Sequence, residues 1–67
     1  MKNEVKKYRQ LAGLTQGALA ERMKVSRQTI HAIESGKYVP STVLALKLSK
    51  FLEAEVQSLF ELEDGDM

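Results

Sequence analysis

The chain has 67 residues, enough for one domain that buries about 60% of the surface its unfolded state exposes, and too few for a core and a deep substrate cleft together. Hydrophobic residues make up 43%, too many for disorder, and the absence of cysteine excludes disulfides and thiolate metal sites while agreeing with a reducing cytosol. The net charge of +1 hides an asymmetry, because residues 1–37 carry eight Lys and Arg against three Asp and Glu, whereas residues 38–67 carry two against six. That split reads either as one surface facing a polyanion and one facing away, or as chance clustering on a solvated exterior. The basic stretch MKNEVKKYRQ is followed by no apolar h-region, so no signal peptide is expected. No apolar run is long enough to span a membrane.

Strand signals are nearly absent, and the helical period dominates. Asn3 can cap a first helix running to about Ala12, with Gly13 as its left-handed stop. Thr15 can cap a second helix to about Met23, and Ser26 a third that ends at Ser35 before Gly36. Lys37–Pro40 reads as a loop. Ser41 can cap a fourth helix to about Leu52, and a short fifth helix is expected around Val56–Leu62. The acidic tail, Glu63–Met67, is expected to be frayed or to compete weakly for a basic surface in the same chain.

The 3.6-residue period places the core at Val5, Tyr8, Leu11, Ala12, Leu19, Ala20, Met23, Ile30 and Ile33, completed by Leu44, Ala45, Leu48, Phe51 and Leu52. Leu14 and Val25 are expected to tuck beneath the fold from turns. Val43 and Leu46 fall off the main stripe, to be covered by the fifth helix, by the tail, or by a partner subunit.

The informative run is TQGALAERMKVSRQTIHAIESGKYVPS, from Thr15 to Ser41. Ala20 is small enough for the second and third helices to cross closely, and Met23 and Val25 pin the turn between them. Ser26 leaves the third helix starting with free N–H groups and the positive end of its dipole. Arg27, Gln28 and Thr29 follow, the side chains that a helix pushed end-first into the major groove of DNA presents. Arg holds guanine O6 and N7 with two hydrogen bonds, Gln holds adenine N6 and N7, and Thr touches a thymine methyl or a phosphate. Ile30 and Ile33 share one side of this helix, whereas Arg27, Gln28, His31, Ala32 and Ser35 share the other.

These residues resemble the Cro/C1-type helix-turn-helix family, also called the Xre family, over about Val5 to Phe60, and the run SRQTI…IE.GKY.PS is specific to it. The resemblance implies an all-α fold, a compact five-helix bundle like the DNA-binding domain of lambda repressor. Residues 1–67 would form a single domain, with the helix-turn-helix at about 15–35 and the tail at about 63–67. It implies a sequence-specific transcriptional regulator, a repressor acting as a homodimer on a double-stranded operator in the prokaryotic cytoplasm. Arg27, Gln28, His31 and Ala32 would face base edges. Gln16, Ser26, Thr29, Lys37 and Tyr38 would face phosphates, and Arg9 and Glu34 match a recurrent structural ion pair. The chain departs from the family pattern at Gly17 and Ala18, where acidic residues are common, at Ser35, where Asn is frequent, and at Thr42, where a large apolar residue is usual.

Spare apolar surface late in the chain places a dimer contact at Leu46, Val56, Leu59 and Leu62. Metal and cofactor sites are not expected, nor is an enzyme. There is one histidine, no glycine-rich phosphate loop and no metal-ligand spacing. A protein-interaction module, an antitoxin or adaptor with secondary DNA binding, is the alternative. Its groove-facing residues would often be acidic or apolar, unlike Arg27 and Gln28.

Overall fold

Serine and threonine hydroxyls set the starts of three helices in the computed structural model, which describes all 67 residues. Thr15 Oγ1 accepts from the Ala18 N–H at 3.0 Å and opens α2, Gln16–Met23. Ser26 Oγ accepts from Thr29 N–H at 3.1 Å and opens α3, Arg27–Glu34. Ser41 Oγ accepts from Leu44 N–H at 3.2 Å and opens α4, Thr42–Leu52. Each hydroxyl satisfies a donor that helix geometry leaves without a partner. The first helix, α1, spans Val5–Leu11, and Gly13 follows it with φ +74°.

Asn3 departs from its expected role. The N-cap of α1 is Glu4, with no side-chain bond, while Asn3 Oδ1 accepts from Val5 N–H at 3.2 Å. The amide of Asn3 donates to the Ile33 carbonyl at 2.8 Å, so this residue ties the start of α1 to the end of α3.

The fifth helix, α5, is a single turn, Val56–Leu59, and not a helix to Leu62. The backbone turns extended at Phe60, and β2, Phe60–Glu61, pairs antiparallel with β1, Lys2–Asn3, in the register Lys2↔Glu61 and Asn3↔Phe60. Two-residue strands have no period to detect, and this pair forms because the fold brings the two ends of the chain together. The tail is also more ordered than expected. Asp64–Asp66 make a 3₁₀ turn in which Asp66 Oδ2 accepts from Glu63 N–H at 2.8 Å. The Met1 ammonium lies 2.9 Å from Glu63 and 3.1 Å from Asp66. Those hydrogen bonds hold the ammonium above its usual pKa; the Glu63 N–H first, then the ammonium, hold the Asp66 carboxyl below its own.

The core comprises Val5, Leu19, Ala20, Met23, Ile30, Ile33, Leu44, Leu48, Leu52 and Leu59. Tyr8, Leu14, Val25, Ala54 and Phe60 pack against it, half-buried. Three expectations need correction. Leu11 is 73% exposed and Ala12 is exposed, because α1 turns the Val5–Arg9 face inward and Leu11 lies about 200° around the helix from Arg9. Phe51 sits on the rim, its ring 5.8 Å from the Arg22 guanidinium. Val43 and Leu46 are 69% and 55% exposed, so neither α5 nor the tail covers them. No helix is long and apolar enough to cross a membrane.

Candidate nucleic-acid interface

The site is built on the α2–turn–α3 unit. The turn is tight because Lys24 adopts a left-handed conformation, φ 60°, and Val25 N–H returns to the Ala20 carbonyl at 3.0 Å. Ala20 is 3% exposed, a small side chain at the crossing of the two helices.

Helix α3 divides cleanly. Ile30 and Ile33 are completely buried, which commits one face to the core. Arg27, Gln28, His31 and Ser35 are exposed on the other face, and Ala32 beside them is half-buried. Gln16, from the first turn of α2, joins Arg27, Gln28 and His31 around one open depression of about 350 Å³. Two residues, Ser26 and Thr29, are less free. Their hydroxyls lie 2.9 Å apart while Ser26 caps the helix, so a phosphate would meet hydroxyls already engaged with each other.

Gly36, at φ +80°, turns the chain off the end of α3 in a conformation that favours glycine. The N–H groups of Lys37 and Tyr38 both return to the Ala32 carbonyl, at 2.9 and 3.2 Å, and both side chains remain exposed. A second open depression, of about 370 Å³, brings together Lys24, Thr29, Tyr38, Ser41 and Lys47. Lys47 was not singled out from the sequence. It lies in the acidic half, and its Nζ is placed by a hydrogen bond to the Met23 carbonyl at 3.1 Å.

Beneath α3 lies a buried ion pair. Arg9 Nε donates to Glu34 Oε2 at 2.7 Å, and Arg9 Nη2 to Oε1 at 3.2 Å, with side chains only 9% and 4% exposed. Arg9 Nη1 donates to the Leu14 carbonyl at 2.7 Å, and the Gln16 amide donates to Glu34 Oε1 at 3.1 Å. Every buried side-chain nitrogen and oxygen has a partner. The pair thus joins α1 to α3, and Gln16 extends the network to the surface. No cluster of three or more His, Asp or Glu residues could hold a metal.

Of the residues considered for a dimer contact, Leu59 is removed by the structure: it is completely buried in the core of its own chain. Leu46 and Leu62 are 55% and 64% exposed, and Val56 is half-buried.

A helix-turn-helix family model matches residues 5–59, the span that contains α1 to α5. The chain belongs to this Cro/C1-type helix-turn-helix family. The family is one of DNA-binding transcription regulators. An HTH-type transcriptional regulator of Methanocaldococcus jannaschii is 52% identical over 66 residues, covering 98% of this chain and all of its own. Another of Bacillus subtilis, YgzD, is 47% identical over 64 residues, covering 96% of this helix-turn-helix chain and 97% of its own. Among solved structures, the restriction-modification controller protein C.AhdI from Aeromonas hydrophila superposes with a TM-score of 0.74 at 32% identity, over 84% of this chain and 81% of that one. The mostly helical fold with its helix-turn-helix is shared with that controller protein.

Proposed function

We propose that this helix-turn-helix chain is a repressor that binds its operator as a homodimer in the prokaryotic cytosol, with α3 in the major groove. The observation that carries the reading is the division of α3. Its apolar face is wholly committed to the core, while Arg27 and Gln28 at its capped start and His31 one turn on are exposed around one depression with Gln16. Arg27 and Gln28 read base edges, with His31 and Ala32 beside them. Gln16, through its backbone N–H at the start of α2, and Ser26, Thr29, Lys37 and Tyr38 hold phosphates on either side, and Lys24 and Lys47 add charge along the same flank. One recognition helix reads too few bases to be selective, so a second copy is required, and its half-site lies about one helical turn away. The exposed apolar residues Leu46 and Leu62, with the half-buried Val56, supply the contact. Selection of bound sequences from a random duplex pool tests this. The expected result is a short motif repeated with two-fold symmetry; capture without any sequence preference contradicts it.

A further inference from the structure

The Gln16 amide makes two contacts that together determine where a proton sits on the recognition helix. The Arg9 guanidinium, which has donors and no acceptor, grips Glu34 through Nε at 2.7 Å and Nη2 at 3.2 Å. A carboxylate in that grip only accepts hydrogen bonds. The Gln16 atom lying 3.1 Å from Glu34 Oε1 is therefore the amide nitrogen and not the carbonyl oxygen. An amide NH₂ carries two hydrogens, and the same nitrogen lies 3.4 Å from His31 Nδ1. A ring nitrogen that accepts a hydrogen bond carries no proton, so in the neutral imidazole the proton resides on Nε2.

We propose that Gln16 fixes the tautomer of His31, making its Nε2–H a donor that reads an acceptor on a base edge; the inference rests on the reading of α3 as the helix in the major groove. His31 is exposed and shares its depression with Arg27 and Gln28, the neighbours expected at the base edges. In the major groove a donor meets guanine N7 and O6, adenine N7 or thymine O4, whereas cytosine offers only its N4 donor. His31 thus selects against cytosine at the position it faces. Gln16 is a positioning residue here, and the buried ion pair acts on the exposed imidazole through this one amide, as outer partners orient ligands elsewhere.

The test has one arm without DNA and one with it. Nitrogen-15 NMR of the His31 ring at neutral pH reads the tautomer in the free protein. A single Nε2–H form is expected, with Nδ1–H rising toward the mixture of an unstructured histidine in both Gln16→Met and Gln16→Ala. A dominant Nδ1–H form in the unsubstituted protein, or the same tautomer in all three proteins, overturns the proposal. With DNA, His31→Ala is expected to reduce preference at one base pair per half-site by about three- to tenfold, the worth of one hydrogen bond. Gln16→Met is expected to reduce preference at that same pair. If the unsubstituted protein selects an operator and His31→Ala leaves every base preference unchanged, the base contact is overturned. If the unsubstituted protein selects no sequence, the reading of α3 falls and the base contact with it, while the tautomer measurement still decides what Gln16 does.

Discussion

Glu34→Ala removes one half of a buried ion pair, and its cost follows from what is left behind. The Arg9 and Glu34 side chains are 9% and 4% exposed, so the stranded guanidinium stays out of water. It loses both bonds to the carboxylate and keeps only the Leu14 carbonyl at 2.7 Å, while Gln16 loses its bond at 3.1 Å. Breaking a buried pair from one side costs about 3–5 kcal/mol. A chain of this length holds roughly 3–10 kcal/mol in total, so the variant should lie close to its unfolding threshold. At about 4–8 °C per kcal/mol, the melting temperature should fall by roughly 12 °C or more. Glu21→Ala, at an exposed position of α2, should change stability by less than about 0.5 kcal/mol. The double variant Arg9→Met/Glu34→Leu, which leaves no charge behind, should recover most of the loss. Urea denaturation followed by far-ultraviolet circular dichroism reads all three. Equal midpoints for Glu34→Ala and Glu21→Ala, or a double variant no better than Glu34→Ala, would refute the reasoning.

Other substitutions separate stability from binding. A Cβ at Gly17 would meet Arg27 Cδ and Thr15 Oγ1 at 3.9 Å, ordinary contact, so Gly17→Glu should fit. It should stabilise α2 by about 1 kcal/mol through lost glycine flexibility and the helix dipole, yet weaken DNA binding by placing a carboxylate beside Arg27; unchanged affinity in a gel-shift titration would mean that the glycine lies off the interface. Glu53 holds φ 53° at the C-cap of α4, where a negative charge also opposes the dipole. Glu53→Gly should therefore raise stability by up to about 1 kcal/mol, and a lower thermal midpoint would contradict this. Leu46→Glu should convert a dimer to a monomer in sedimentation equilibrium at micromolar concentration; a lone 7.5 kDa species before the substitution, with operator present or absent, would remove the homodimer.

The starts of α2, α3 and α4 were legible because Thr15, Ser26 and Ser41 cap them by local hydrogen bonds, which need no knowledge of the fold. Asn3 has the same chemistry but spends its amide on Ile33, 30 residues away, a contact no window along the chain reveals. The stripe of α1 was read rightly at Val5 and Tyr8 and wrongly at Leu11 and Ala12, for a related reason. Period alone favours Leu11 over a charged residue, yet Arg9 takes the inner position because Glu34 waits there. Leu59 passed for a surface residue because a one-turn helix has too few positions to define a face, and it fills the core instead. At the site, the polar face of α3 was visible from Ile30 and Ile33. The meeting of Gln16, Glu34 and His31 depends on how α2 packs on α3, and so did the placement of Lys47 beside Lys24.

In the proposed complex Arg27 reads a base while Lys37 holds a phosphate, and one measurement separates these two roles. The measurement is the affinity of the unsubstituted chain, Arg27→Ala and Lys37→Ala for a selected operator and its single-substituted versions across a salt series. Arg27→Ala should lose about 1–3 kcal/mol and flatten preference at one base pair per half-site, with little change in salt slope. Lys37→Ala should weaken all sequences equally and lower the slope by about one counterion per subunit. If Arg27→Ala instead weakens every operator in parallel and lowers the slope, Arg27 is a phosphate clamp and the reading face of α3 is misassigned.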